Sequence, residues 1–116
     1  MAEAKDLIEK LVEEGNKVDA AKAALKGFAG KVIGFELEGE DPKTMGIKVA
    51  DDGSGTFVEG DIGATVFTIV ADGEYWVKVM KGEEDVMKGF MSKKYSIKGN
   101  MMQATKLQSL FKIIKL

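Results

Sequence analysis

The sequence predicts one domain in which helices cover the apolar face of an antiparallel sheet. Residues 1–28 repeat apolar side chains at helical spacing, and residues 31–71 mostly alternate apolar and polar side chains as strands do. Residues 72–116 combine short helical segments with one further strand. A chain of 116 residues fits a single domain, because domain sizes cluster at about 100–150 residues.

Two amphipathic helices are predicted first, over Ala4–Glu14 and from about Lys17 to Lys26. The apolar stripe of the first consists of Leu7, Ile8, Leu11 and Val12. The apolar side of the second consists of Val18, Ala21, Leu25 and Phe28. We interpret both stripes as ordinary core packing.

Three short strands are predicted next, separated by a turn at 39–42 and a hairpin turn at Asp51-Asp52-Gly53. Their apolar positions are Ile33, Phe35 and Leu37, then Met45, Ile47 and Val49, then Phe57 and Val58. Ala64–Ala71 differs because it is apolar on both faces, with Ile62, Ala64, Val66 and Val70 on one side and Phe67 and Ile69 on the other. This pattern predicts a central strand, or a strand that faces both a core and a ligand.

Asp72 is predicted to cap the segment that follows, although Tyr75–Lys81 fits both helical and strand spacing. Acidic residues 83–85 then open a helix over Val86–Met91, where they complement the helix dipole. The large flexible side chains of this region are Trp76, Met80, Met87, Phe90 and Met91. They indicate either a wall of an apolar ligand cavity or plain core filling, and their spacing alone favours the core.

The chain continues with a strand over Lys94–Lys98, whose Tyr95 and Ile97 point inward, and a last helix over about 101–114. The main face of this helix consists of Met101, Ala104, Leu107, Leu110, Phe111 and Ile114. Gln103 lies inside that face and Gln108 at its edge, so each amide needs backbone, water or the polar head of a ligand as a partner. Met102 and Ile113 lie opposite among lysines, an edge suited to a membrane or a protein partner.

Composition excludes several classes of function. The formal net charge of −2 argues against a general nucleic-acid binder. The chain has no histidine and no cysteine, which removes disulfides, thiolate catalysis and the commonest general base and metal ligands. No apolar run reaches the length of a membrane span, about 18–20 residues, and we expect no secretory signal because the first ten residues are acidic and helical in pattern. We therefore expect a cytoplasmic protein that is not an enzyme and has no cofactor or metal.

Three motifs near the C-terminal end resemble the signature of the type-two sterol carrier protein domain. They are Gly89-Phe90-Met91 at the end of a helix, the strand and corner from Lys94 to Met101, and residues 104–110 of the closing helix. The specific match covers about residues 85–110, and the order of elements from Lys31 onward also agrees with the family.

The resemblance implies an α+β fold: a five-stranded, mostly antiparallel sheet covered on one face by helices, with an apolar tunnel between them. It implies a helix at Tyr75–Lys81 and a non-enzymatic role in binding or transferring fatty acids, fatty acyl-CoA, phospholipids or sterol-like lipids. On this reading the residues around the lipid tail are Trp76, Met80, Met87, Phe90, Met91, Leu107, Leu110 and Phe111, with Phe35 and Phe67 on the sheet floor. Gln103 or Gln108 would meet the polar head, and the last helix would act as a lid.

Two other functions stay open. Met102, Ile113 and the first helix could form a homodimer or docking surface, so that the chain acts beside a partner lipid-metabolising enzyme. A hydrolase or thioester-handling enzyme is the third possibility, and the absence of histidine and cysteine argues against it.

Overall fold

The computed structural model of the protein describes residues 3–40, 43–60 and 62–99, and the side chains of Val86, Met87 and Phe90 lie outside this set. Helices α1 to α4 span Glu3–Gly15, Asp19–Leu25, Gly73–Met80 and Val86–Met91, and a single 3₁₀ turn spans Lys26–Phe28. Strands β1 to β5 span Val32–Glu38, Thr44–Val49, Gly55–Glu59, Phe67–Asp72 and Tyr95–Gly99. The last helix predicted over 101–114 lies outside the described residues.

The five strands form one sheet in the order β3-β2-β1-β4-β5. β1 and β4 are parallel, and the other three neighbouring pairs are antiparallel. The predicted meander of β1, β2 and β3 is therefore confirmed, as is the mostly antiparallel α+β fold. β4 has a strand on each side, as its two apolar faces predicted.

The register collects the apolar side chains on the face that the described helices cover. Ile33 lies opposite Ile47 on β2 and Phe67 on β4, and Phe35 in the same way lies between Met45 and Ile69. All six of these residues are at most 2% exposed. They pack against the buried stripe of the first helices, which consists of Ala4, Ile8, Leu11, Ala21, Leu25 and Phe28.

Two predicted boundaries need correction. The second helix is shorter than expected, because regular α-helix ends at Leu25 and the chain tightens into a 3₁₀ turn that buries Phe28. β4 begins at Phe67 rather than Ala64. Gly63 has a φ of 73°, so the strand that pattern predicted through Ile62 and Ala64 is interrupted there.

The segment before β4 instead folds over the outer face of the sheet. A Cβ added to Gly34 would lie 3.2 Å from the Ile62 Cδ1 and 2.7 Å from the Thr68 Oγ1, and one added to Gly46 would lie 3.3 Å from the same Ile62 atom. The Oγ1 atoms of Thr65 and Thr68 are 2.8 Å apart, which ties the segment to β4. Facing glycines at 34 and 46 thus let the apolar side chain of Ile62 approach the sheet.

α3 and α4 begin and end in the same manner. The Asp72 carboxylate accepts a hydrogen bond from the Tyr75 N–H at 3.3 Å, and Asp85 accepts one from the Lys88 N–H at 2.9 Å. Both helices end in Schellman motifs, in which Glu83 N–H bonds the Lys78 carbonyl and Lys94 N–H bonds the Gly89 carbonyl. The confirmed helix at α3 resolves the ambiguity between helix and strand there.

The longest described helix has 13 residues. Within the ranges that the structure describes, no helix combines the length and hydropathy needed to cross a membrane.

Candidate functional site

An aromatic cluster lies where α3 packs over β1 and β5. The Trp76 ring centroid is 6.0 Å from that of Phe35 and 5.5 Å from that of Tyr95. Tyr75 stacks on Tyr95 with centroids 6.3 Å apart. Phe35 and Trp76 are fully buried, whereas Tyr75 is only half-buried, so the cluster runs from the core to the surface. It forms a rigid apolar base under this end of the sheet.

Gly89 brings α4 against the two tyrosines. A Cβ at this position would overlap the Tyr75 hydroxyl and lie 3.2 Å from the Tyr95 Cε1. The absence of a side chain at Gly89 is therefore what allows α4 to sit this close to the aromatic cluster.

The environment of the two tyrosines opposes their ionisation. Burial raises the pKa of Tyr95 to about 12, and the neighbouring Tyr75 and Asp85 add to the shift. The pKa of Tyr75 is also raised, first by burial and then by the carboxylates of Glu84 and Asp85. Both side chains stay neutral at physiological pH and present ring faces and hydroxyl groups.

A cleft of about 740 Å³ opens beside this cluster, between α4 and the end of the sheet formed by β4 and β5. Its lining residues are Val70, Ala71, Asp72, Met91, Lys93, Lys94, Tyr95, Ser96 and Ile97. Ala71 and Tyr95 are buried and Ile97 is half-buried, so the apolar layer of the sheet reaches the cleft. Met91 is 78% exposed at its edge, next to two exposed lysines. The cleft therefore combines an apolar floor with a cationic rim.

The structure separates the residues that the sequence assigned to a ligand. Phe35, Phe67, Trp76 and Met80 are at most 4% exposed and belong to the core. Phe35 and Trp76 are in contact, whereas Phe67 packs edge-on against Phe28 at 5.9 Å. Met91 lies on the cleft. The remaining assigned side chains, which lie outside the described set, are those of Met87, Phe90, Gln103, Leu107, Gln108, Leu110 and Phe111.

Sequence reasoning missed Tyr75, Ala71, Tyr95 and Ile97 as site residues. The alternation of Lys94–Lys98 had already placed Tyr95 and Ile97 on the inner face, so this signal was available. The contact of Tyr75 with α4 depends on Gly89, which lies in another segment, so the spacing of residues around Tyr75 could not predict it.

A second, smaller cleft of about 370 Å³ lies between α3, the start of α1 and the end of β1. Three of its acidic residues bond to other parts of the fold. Glu40 accepts the Ala4 N–H at 2.9 Å, and Glu3 pairs with Lys81 at 2.7 Å. Glu38 pairs with Lys43 at 2.7 Å. We assign this cleft a structural role in joining α1 to β1 and α3.

Comparisons with known proteins agree with this architecture. A sequence model described as the SCP-2 sterol transfer family matches residues 8–112. Comparison with functionally characterised proteins by sequence gave no match.

Three solved structures show the same fold at low sequence identity. A protein described as the UbiJ-SCP2 ubiquinone synthesis protein has a TM-score of 0.74 and 17% identity, over 91% of this chain and 90% of that one. Sterol carrier protein 2 from Yarrowia lipolytica, in its apo form, has a TM-score of 0.65 and 21% identity, over 90% and 87%. Sterol carrier protein-2 like-3 from Aedes aegypti has a TM-score of 0.67 and 17% identity, over 98% and 100%.

Proposed function

The chain belongs to the SCP-2 sterol transfer family, whose domains bind or transfer lipids and are typically non-catalytic, and we propose that it carries an amphipathic lipid with an anionic head. Fatty acids, fatty acyl-CoA and anionic phospholipids are the classes that fit. The cleft between α4 and the end of β4 and β5 is the observation that carries this proposal.

The size of the cleft suits such a ligand. Its volume of about 740 Å³ falls within the range of about 300–1,000 Å³ common for small-molecule sites. An acyl tail lying over Ala71, Tyr95 and Ile97 removes apolar surface from water at about 25 cal/mol per Å². Lys93 and Lys94 stand at the rim, where a carboxylate or phosphate head would meet them.

The residues assigned from the sequence complete the proposed site. Phe35 and Trp76 support its floor from the core through the ring of Tyr95. Phe67 does not take part, because it lies at the other end of β4, opposite Gly99, and packs against Phe28. The remaining proposed lining consists of Met87, Phe90, Met91, Leu107, Leu110 and Phe111, whereas Met80 is buried in the core. Gln103 or Gln108 would supply an amide to the polar head, and the predicted last helix would close over the tail. No step of this function requires a cofactor.

Native mass spectrometry of the purified protein, followed by organic extraction and lipid identification, tests the proposal directly. A near-stoichiometric lipid with an anionic head is the expected result. A bound neutral sterol would contradict the role of the lysines. A protein that carries no lipid and takes up no fluorescent fatty acid would refute the proposal as a whole.

The second candidate function is a docking module beside a partner lipid-metabolising enzyme. The fold similarity to a protein described as a ubiquinone synthesis protein favours it. Light scattering across a concentration series distinguishes this function from simple lipid carriage. Self-association that persists after complete delipidation would favour the docking module.

A further inference from the structure

The corner between α4 and β5 exposes an apolar side chain among cations. Of the large apolar side chains that the structure describes, Met91 stands out, with 78% of its surface accessible. Lys88 precedes it by three residues and therefore lies beside it on the helix surface. Lys93 and Lys94 follow after Ser92 and line the same cleft. We call Lys88, Met91, Lys93 and Lys94 the α4–β5 corner.

The charges of the chain are segregated along the sequence, and the corner belongs to the part that has no acid. All 19 acidic residues precede Val86, whereas the 31 residues from Val86 to Leu116 contain seven lysines and no acid. The protein as a whole has a formal charge of −2, so its cationic character is concentrated in the last part of the sequence. A local field of one sign attracts an oppositely charged surface even when the total charge does not.

The backbone at Lys93 is unfavourable for a lysine. Its φ of 59° is in the left-handed region, and among the described residues other than glycine this is the one positive φ. α3 ends in the same Schellman motif with Gly82 in the equivalent position, at a φ of 80°. Glycine is the residue that this position favours. A lysine held there against backbone preference is consistent with a role for its charge.

Few acidic groups oppose these lysines. Asp72 is the acid that the described lining of the cleft includes, and its carboxylate already accepts the Tyr75 N–H. Glu84 and Asp85 lie at the other end of α4, where Asp85 caps the helix. Lys98, further along β5, pairs with Glu36 at 3.5 Å and is left out of the corner.

From these observations we propose that the α4–β5 corner docks the protein on an anionic lipid bilayer. Met91 inserts among the acyl chains, and Lys88, Lys93 and Lys94 lie against the lipid phosphates. Large apolar residues flanked by lysines bind membrane interfaces by these two contributions together. Docking places the mouth of the cleft on the bilayer surface, where a lipid can pass between them. The passage of lipid between cleft and bilayer rests on the proposed function, but the docking itself does not.

Sedimentation with vesicles tests the docking. We expect binding to phosphatidylcholine vesicles that contain about one-third phosphatidylserine, and little binding to pure phosphatidylcholine. Neutralising each lysine of the corner should weaken binding about fivefold, and Met91→Gln should weaken it roughly tenfold. Lys48→Glu is the matched control, since Lys48 is exposed on the outer face of the sheet. Binding of both Lys93→Glu and Lys94→Glu equal to that of the Lys48→Glu control, which makes the same change of net charge, would overturn the proposal.

A fluorescence experiment gives a second readout that does not depend on charge-reversed variants. The chain contains no cysteine, so Met91→Cys can be labelled at one position with an environment-sensitive dye. A blue shift on anionic vesicles, absent for Lys48→Cys, is expected, and equal spectra for the two labelled proteins would refute insertion. Uptake of a fluorescent fatty acid without vesicles separates the two proposals. Vesicle binding without fatty-acid uptake would refute the lipid-carrier function and would still support the α4–β5 corner as a membrane-docking surface.

Discussion

The side-chain amide of Asn16 forms a two-way hydrogen-bonded pair with the backbone of Gly55. The Asn16 Nδ2 donates to the Gly55 carbonyl at 3.0 Å, and the Gly55 N–H donates to the Asn16 Oδ1 at 2.8 Å. Gly55 is the first residue of β3, the outermost strand on that side of the sheet. The amide thus satisfies both polar groups of an edge residue and fastens the connection between α1 and α2 to the sheet.

Asn16→Ala should lower the free energy of unfolding by about 1–2 kcal/mol, because it leaves two partly buried backbone groups without partners. Urea denaturation measures this change. Lys17→Ala is the control, since Lys17 makes only exposed ion pairs of 3.7 and 4.0 Å and should change the value by less than about 0.5 kcal/mol. Equal effects of the two substitutions would show that the pair contributes nothing.

Gly89→Ala should destabilise the protein by about 1–3 kcal/mol, although alanine normally favours a helix. The new Cβ would lie 2.9 Å from the Tyr75 Cζ and would force that ring aside. In a Tyr75→Ala background the loss should shrink by at least about 1 kcal/mol, which a double-mutant cycle measures. A loss that is the same in both backgrounds would mean that the tyrosine is not the obstacle.

The helix ends allow a reciprocal test of backbone preference. Lys93→Gly should raise the free energy of unfolding by about 0.5–1 kcal/mol, because the lysine occupies a left-handed conformation. Gly82→Lys should lower the free energy of unfolding by about 1–2 kcal/mol. The space around Gly82 is open, so the cost comes only from the left-handed backbone conformation. Urea denaturation of both variants measures these changes. If the two substitutions changed the free energy of unfolding in the same direction, this account would be contradicted. A Lys93→Gly protein that is more stable but binds anionic vesicles less well would link the strain to docking.

Alkaline pH should destabilise the fold through Tyr95. The folded protein holds the phenol proton up to a pKa of about 12, above the ordinary value of 10.0, so the unfolded chain releases it first. The contribution of Tyr95 to stability is therefore complete below about pH 10 and is lost as the pH rises toward 12. Absorbance titration near the tyrosinate band should show one tyrosine ionising near pH 12. This step should vanish in Tyr95→Phe and persist in Tyr75→Phe.

The apolar floor of the cleft predicts a loss of lipid affinity when it is made polar. Ile97→Asn should weaken fatty-acid binding roughly tenfold, because a polar group replaces half-buried apolar surface next to the proposed tail. Thr56→Asn, at an exposed position of β3, provides the control for inserting the same side chain into a strand. Fluorescent fatty-acid titration measures both variants. Unchanged affinity in a folded Ile97→Asn protein would show that the lipid tail does not lie against β5.

Elements with one consistent pattern could be read from the sequence. The meander followed from strict alternation at residues such as Ile33, Phe35 and Leu37, each of which is buried on the helix side. Asp72 was identified as a cap because its side-chain chemistry acts within three residues. The family resemblance supplied the helix at α3. Val77 and Val79 have the spacing of a strand with one buried face, and both are buried in the helix as well, so spacing alone could not decide.

Features set by distant contacts could not be read in this way. Ile62 is apolar because it covers Gly34 and Gly46, and local spacing assigned it to a strand instead. The cleft depends on how closely α4 approaches Tyr75 and Tyr95, and this distance is set by a missing side chain at Gly89. Periodicity reflects only the residues along one segment, whereas these contacts join segments that are far apart in the chain.

The parallel ladder between β1 and β4 has a consequence for the order of folding. It joins residues as far apart as Ile33 and Phe67, whereas β1, β2 and β3 are connected by short turns. Closing this long loop carries the larger entropy cost, so we expect the meander to form early and β4 with β5 to dock onto it late. β1 is the middle strand of the described sheet, and its amides should exchange most slowly with deuterium in the native state. We therefore expect the half that carries the proposed lipid cleft and the α4–β5 corner to open first.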